Sequence, residues 1–400
     1  MGPQIESEPF VTFIRNQAQE MAKQHRLPAS RQEWLEKRQE IRRKLIKSLG
    51  GFPKTRCDLD PQTVGRMEFA DYTVEKVVLQ TLPGVRMMVN LYRPSGAGPF
   101  PAVLCVHGHW KGAKQDPTVQ ARCIGLAKLG FVALAVDAFG AGERAIEQAL
   151  GEYHGEMTAA TLYATGRQLA GVQVYENMRC ADYLQSRPDV DGAKLAITGT
   201  SGGGNQTMYA GALEDRFKAV IPVCSVGNYQ AYLGVACCMC ELVPGALSFT
   251  EEWGVLGLVA PRGLMVINAT RDGIQFSVAE AKKSLSGAKV VYDQMGVSEH
   301  VRHVIVDSGH DYNKPMREAM YGWVTLHLKN EGDGSPIEEP EIETVDRELL
   351  RCYQEGERPN DYLTLPKLAS RFAKEMVKRQ VKPLHREHWD ADRVAKLGMI

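Results

Sequence analysis

No apolar run in this chain approaches the roughly 20 residues that a membrane-spanning helix needs, so no transmembrane segment is expected. The opening residues, Met1-Gly-Pro-Gln-Ile-Glu, contain no apolar core of a signal peptide. The cytoplasm is therefore the expected compartment, and a secreted or periplasmic protein with its signal removed would read the same way. Charge of one sign is also missing: 48 basic residues face 48 acidic ones. That balance leaves no global field to draw in nucleic acid or an anionic membrane, and the basic run Arg38 to Lys47 reads as one solvated helix face. The nine cysteines are an odd number without paired spacing, so no disulfide framework is expected. Cys105, Cys180 and Cys224 lie in apolar stretches and read as buried thiols, which suits a reducing compartment. Cys237, Cys238 and Cys240 put three thiols in four residues, but a structural zinc needs a fourth ligand and usually a second paired set. None is visible, so these thiols read as core or site-wall cysteines, and no metal is expected.

What is present suits one large domain with additions. A chain of 400 residues buries a substantial core. Three zones follow. Residues 1–60 are rich in Gln, Glu, Lys and Arg and carry Trp34, Leu35, Ile41, Leu45, Ile46 and Leu49 at helical spacing, ended by Gly50-Gly51. This is an N-terminal helical segment. Residues 61–330 alternate short apolar runs with helical patterns, the pattern of a mainly parallel twisted sheet flanked by helices. From Glu331 a Gly-Asp-Gly-Ser-Pro run and a Glu/Pro-rich stretch read as an exposed linker. A basic C-terminal helical extension follows over about Pro366 to Arg379, with proline suited to the first turn. No internal repeat is present.

Within the middle zone, Val74–Leu82 and Arg86–Tyr92 form a hairpin turned at Pro83-Gly84. Buried strands are expected at Ala102–Val106, Phe131–Val136, Lys194–Thr198, Phe217–Val223, Gly263–Asn268 and Val301–Val306. Helices lie over 119–129 and 172–184 and after Gly203. Polar residues gather at the carboxyl ends of these strands, where open α/β sheets place their sites.

Gly199-Thr-Ser201-Gly-Gly203 matches G-x-S-x-G. The bare motif is weak, but here it follows an apolar strand directly and precedes a helix-compatible run. A nucleophile elbow requires that context. The turn is so tight that only small neighbours let strand and helix approach. It also sets the hydroxyl at a helix N-terminus, where partial positive charge favours a developing oxyanion. Ser201 is the candidate nucleophile.

A serine needs a base, and the base needs an orienting acid. With this type of elbow the chain order is Ser, acid, His. His310, in Asp307-Ser-Gly-His310-Asp-Tyr after the last strand, is the candidate base. His300, His303 and His327 read as loop, strand and helix residues. Asp272, in the loop after the Gly263–Asn268 strand, is the candidate acid, with Asp307 and Asp311 as rivals that read as capping or loop residues. The backbone N–H of Gly202 and of His109, the latter in the His107-Gly-His109-Trp110 loop, are the expected oxyanion donors. His107 reads as a hydrogen-bonded structural residue.

Together, His107-Gly-His109, Asp137-Ala-Phe-Gly-Ala-Gly-Glu143, Arg187-Pro-Asp-Val-Asp191, Gly199-Thr-Ser-Gly-Gly203 and Asp215-Arg-Phe-Lys-Ala-Val220 resemble the acetyl xylan esterase and dienelactone-hydrolase-like branch of the α/β-hydrolases. The likeness covers about residues 70–330. It implies the α/β-hydrolase fold, a Ser-His-Asp triad, no metal or organic cofactor, and hydrolysis of small acyl esters, often acetyl groups on sugars. Dienelactone hydrolases carry cysteine where this chain has Ser201. Many glucuronoyl esterases place a Glu just after the strand following the nucleophile, where this chain has Cys224-Ser225, so the acid is expected later, at Asp272.

The expected function is a serine carboxylic-ester hydrolase removing short acyl groups from a carbohydrate or small-molecule ester. Residues of about 224–261 form a lid insert. Trp110, Tyr229 and Glu241, with His154 and Arg167 from the excursion after Asp137, are the candidate substrate contacts. Rivals are a glucuronoyl-type esterase, a prolyl-oligopeptidase-like peptidase, for which the chain lacks a propeller, and a non-catalytic binding module. A homo-oligomer is compatible with the helical additions.

Overall fold

A computed structural model describes residues 8–110, 112–146, 157–235, 238–354 and 356–379. Its centre is a nine-stranded sheet in the order β1-β2-β3-β5-β4-β6-β7-β8-β9. The strands are β1 (Gln62–Glu68), β2 (Tyr72–Leu82), β3 (Val85–Pro94), β4 (Phe100–Cys105), β5 (Val132–Val136), β6 (Val190–Thr200), β7 (Phe217–Val223), β8 (Gly263–Arg271) and β9 (Val301–Gly309). The first three are antiparallel, and β3 pairs antiparallel with β5. From β5 through β4, β6, β7 and β8 to β9 every pairing is parallel. Parallel strands need crossovers and are covered on both faces, which is why β4, β5 and, after Lys218, β7 read as apolar runs.

The helices are α1 (Glu8–Ala22), α2 (Arg31–Ser48), α3 (Pro117–Lys128), α4 (Met157–Ala160), α5 (Leu169–Ser186), α6 (Gly202–Leu213), α7 (Tyr229–Leu233), α8 (Glu252–Gly257), α9 (Val278–Met295), α10 (Lys314–Val324) and α11 (Leu365–Arg379). One face of the sheet buries Leu104, Leu134 and Ile197 against α5, α6 and α9, with Trp34, Ile41 and Leu45 of α2 packed onto that layer. The other face buries Val103, Ala133 and Ile221 against α3 and α10. Ser30 caps α2 by accepting from Glu33 N–H, and Glu33 accepts from Ala29 N–H in return.

Three elements escape the apolar pattern. Strand β1 is an edge strand of exposed residues with little to alternate. Helix α1 has only Ala18 in the core. Helix α9 buries Ala281, Ser284, Gly287 and Ala288 beside Leu285, Val291 and Tyr292, a face of small residues with weak hydropathic contrast.

The stretch after Glu331, expected as an exposed linker, is laid along the body of the protein. Glu339 pairs with Arg317 through two bonds of 2.5 and 2.7 Å and accepts from Tyr321. Val345 N–H donates to Gln120, and Leu350 is fully buried. Beyond it the chain reaches a buried ionic cluster. Lys114 Nζ lies 2.6 Å from Glu143 and 3.7 Å from Asp137, and donates to Leu350 O. Glu143 in turn accepts from the backbone N–H of Cys352 and Tyr353. Arg144 pairs with Glu176 at 2.6 Å and donates to the Tyr362 hydroxyl. The C-terminal extension thus supplies backbone and hydroxyl partners to charges that would otherwise be buried short of hydrogen bonds.

Removing the cation from that cluster leaves two carboxylates in the interior. Lys114→Met is expected to lower unfolding free energy by about 3–5 kcal/mol, measured by urea denaturation; a loss below about 1 kcal/mol would contradict a dependence of the extension on this cluster.

Candidate active site

Strand β6 runs straight into α6, and the residue between them is Ser201, with φ 57° and ψ −130°. A non-glycine residue there carries strain of order 1–3 kcal/mol and persists only when its surroundings hold it. Two backbone bonds do so: Ser201 N–H donates to Val223 O of β7, and Asn205 N–H donates to Ser201 O, both at 3.0 Å. Glycine is required on both sides. A Cβ on Gly199 would sit 2.5 Å from Val106 Cγ2 and 2.6 Å from Gly203 O, and one on Gly203 would sit 2.6 Å from the His107 backbone. Ser201 is 7% exposed, and α6 begins at Gly202, whose N–H is one of the four that a helix start leaves without an intrahelical partner.

The next strands bring the other ionisable groups. Asp272 follows β8, and His310 follows β9. His310 Nδ1 lies 2.9 Å from both carboxylate oxygens of Asp272, whose side chain is 3% exposed. Nδ1–H therefore donates to the carboxylate, and Nε2 is left as the basic nitrogen. The Trp110 and Phe276 rings each lie roughly parallel to the His310 ring, with centroids 6.1 Å from it. Thr200 Oγ1 donates to Asp311 O at 3.4 Å, and Thr198 shares a 2.7 Å hydrogen bond with Tyr312. Residues just before Ser201 and just after His310 are thereby tied together. Asp307 instead pairs with Arg271 at the surface, and Asp311 accepts from its neighbour Tyr312 N–H. Cys224, at φ 46°, places its thiol with Asp272 and His310, the three ligand atoms lying within 4.8 Å of one another. Burial pushes that thiol up to about 12, so it stays protonated at neutral pH.

His107 and His109 sit on the loop after β4. His107 Nε2 accepts from Ala138 N–H and Nδ1 donates to Gly108 O. Burial holds His107 down at about 3, so it is a neutral structural ring. His109 reaches over the start of α6: its Nε2 lies 2.8 Å from where a Gly202 Cβ would be. Its ring meets the 224–261 segment at Cys240 and Glu241, 3.0 Å from Cys240 Sγ and 4.0 Å from Glu241 Oε1.

Beside the elbow opens a cavity of about 540 Å³, lined by Tyr209, Tyr229, Tyr232, Glu241, Leu242 and Phe276 among others. Glu241 accepts from the Tyr232 hydroxyl at 2.5 Å, and burial pushes its carboxyl up to about 8. Tyr229 shares a 3.3 Å hydrogen bond with Tyr209, and its N–H donates to Glu251. Two polar atoms on this wall, Asn205 Oδ1 and Ser225 Oγ, are buried without a hydrogen-bond partner. Neither stood out in sequence, where an Asn inside a helix and a Ser after a strand have no distinguishing spacing; nor did Phe276 or Tyr232.

Of the candidate substrate contacts, Trp110, Tyr229 and Glu241 come together around this centre. Arg167 does not. Its guanidinium stacks on Phe372 of α11 and donates to Gly51 O, and it lines a different cavity with Phe52, Tyr175 and Arg371. The excursion after Asp137 turns this side chain to the C-terminal helix, a partner too distant in sequence to foresee. His154 and Cys237 lie outside the described residues.

Residues 11–224 match the Abhydrolase family. The chain is similar to the hydrolase by name YtaP of Bacillus subtilis (strain 168), with 26% identity over 68% of this chain and 94% of that one. A shorter likeness, 29% identity over 33% of this chain and 30% of the other, is to the acetyl esterase Axe7A of Xylanibacter ruminicola. Among solved structures, methylesterase BT1017 superposes with a TM-score of 0.70 at 22% identity, covering 94% of this chain and 80% of that one. A glucuronoyl esterase from Solibacter usitatus gives 0.61 at 19% identity, covering 75% and 94%. These structural likenesses carry the α/β-hydrolase fold.

The cavity's carboxyls make stability depend on pH. Burial, reinforced by neighbouring Glu251, pushes Glu252 up to about 8, whereas an unfolded Glu titrates near about 4.3. Between those values the folded state holds a proton that the unfolded state has lost, so stability falls as pH rises. Glu252→Gln should flatten that fall, giving a smaller drop in Tm than the parent between about pH 5 and pH 8. Equal slopes in thermal melts of the two proteins would contradict it.

Proposed function

Because this chain belongs to the Abhydrolase family, we propose that it is a serine esterase that removes short acyl groups, acetyl above all, from a carbohydrate or other hydroxyl-rich alcohol. The observation that carries this reading is the strained turn at Ser201 with a His310–Asp272 pair at the ends of neighbouring strands. The His310 Nε2 takes the proton of Ser201 as the hydroxyl oxygen attacks the ester carbonyl. Asp272 keeps the ring in the required tautomer and stabilises its charge. The N–H groups of Gly202 and His109 receive the tetrahedral oxyanion, where fixed donors act without reorganising. His310 returns the proton to the departing alcohol, and water then releases the acyl group by the reverse route.

The alcohol side fits the cavity beside the elbow. Tyrosine faces and Phe276 offer stacking surfaces, while Asn205 Oδ1 and Ser225 Oγ, buried without partners, suit a ligand bearing hydroxyls. Glu241 and Tyr229 complete this wall, and Trp110 lies against the His310 ring. The names of the relatives, an acetyl esterase and a methylesterase among them, support ester chemistry. In this reading residues 61–330 are the catalytic domain, with the insert at about 224–261 as its lid, the N-terminal helical segment at 1–60 before it and the linker and C-terminal helical extension at 331–400 after it.

Hydrolysis of p-nitrophenyl esters from acetyl to octanoyl tests the reading. Turnover is expected to be fastest on acetate and to fall by at least about 10³-fold in Ser201→Ala and His310→Ala, with Asp272→Asn retaining more. Equal turnover in Ser201→Ala, or none on any ester, would overturn it.

A further inference from the structure

Four side chains that can ligate a soft metal meet where the lid insert touches the loop after β4. His109 comes from that loop, and Cys238, Cys240 and Glu241 come from a short turn some 130 residues later, with contacts spanning 129 and 131 positions. His109 Nε2 lies 3.0 Å from Cys240 Sγ, and Nδ1 lies 3.7 Å from Cys238 Sγ and 4.0 Å from Glu241 Oε1. The ligand atoms of His109, Cys240 and Glu241 all fall within 4.8 Å of one another. Cys238, Cys240 and Glu241 are buried at 7%, 1% and 3% exposure. Sulfur, nitrogen and oxygen donors at bond lengths of about 2.0–2.3 Å around a tetrahedral ion stand about 3–4 Å apart; His109, Cys240 and Glu241 need to close by only a fraction of an ångström to reach that spread, and Cys238, 3.7 Å from His109 Nδ1, has to turn in as the fourth ligand.

In sequence the cysteines lacked a fourth ligand. The fold supplies both a histidine and a carboxylate. We propose that His109, Cys238, Cys240 and Glu241 form a closed, four-coordinate site for a thiophilic divalent cation, zinc by its chemistry. Two thiolates, one imidazole nitrogen and one carboxylate oxygen are all donors that zinc accepts, and four of them give the coordination number of a structural zinc centre. Binding displaces the two thiol protons to solvent, and no redox step is involved. The site sits on the wall of the candidate active centre, against Gly202, and uses none of Ser201, Asp272 and His310. Its consequence is mechanical: the ion would fasten the lid insert to the loop that carries His109.

The test needs no substrate, so it stands or falls apart from the esterase reading. The full chain, reduced and stripped with a chelator, is titrated with Co²⁺ and then with Zn²⁺. One equivalent of Co²⁺ is expected to give the thiolate-to-cobalt charge-transfer band in the near ultraviolet and the strong visible bands of a tetrahedral ion, both erased by one equivalent of Zn²⁺. Cys238→Ser and Cys240→Ser should each weaken binding by at least about tenfold. Because a variant can misfold, the parent protein is also alkylated with iodoacetamide, and Zn²⁺ should protect the peptide carrying Cys238 and Cys240. Octahedral, weakly coloured Co²⁺, or alkylation of that peptide unchanged by Zn²⁺, would overturn the proposal.

Discussion

Everything around the candidate active site hangs on one backbone conformation, the left-handed turn at Ser201 between β6 and α6. L-residues avoid it because Cβ crowds the neighbouring carbonyl, so the surroundings have to impose it. They do so by closeness. Val106 packs where a side chain on Gly199 would go, and the His107 backbone occupies the space beside Gly203. Gly204 has the Ser225 side chain against it in the same way. The turn's hydrogen bond to Val223 then joins β6 to the end of β7. A relaxed turn would lose this bond, and with it the common edge on which the remaining groups stand.

That edge is the set of carboxyl ends of four adjacent parallel strands. Ser201 follows β6, Cys224 follows β7, Asp272 follows β8 and His310 follows β9. Parallel registry sets these positions side by side without any long side chain having to reach. Cross-links from Thr198 and Thr200 to the 311–312 turn hold the first and last of them together. Residues of the 224–261 segment then line the cavity beside this edge with tyrosines and buried carboxyls. Strand ends carry the candidate reacting groups, and the 224–261 segment supplies much of the cavity wall.

How far this was legible in sequence differs by physical cause. The strands from β4 to β8 announce themselves through the apolar runs that burial on both faces demands, and the half-buried edge strand β9 through its Val304-Ile-Val306 run. The elbow reads clearly because its glycines answer to steric contacts inside a few residues. The position of Asp272 and His310 follows from strand order alone. Edge strand β1 and helix α9 were not readable, since neither shows strong hydropathic contrast: β1 lies at the surface, and α9 meets the core largely through small residues. Contacts across the chain were hidden as well. Nothing near Arg167 signals that Phe372 will receive its guanidinium, and nothing near Cys240 signals His109. The Glu/Pro-rich stretch looked like a linker because its anchors, Arg317 and Gln120, lie elsewhere.

The central claim is that the turn makes Ser201 a nucleophile with His310 as its base. It is tested most directly by mass spectrometry of the intact protein and its peptides after exposure to a fluorophosphonate. The account predicts a single adduct on the peptide carrying Ser201, formed slowly or not at all in His310→Ala. An adduct on another residue, or none on the folded parent protein, would contradict it.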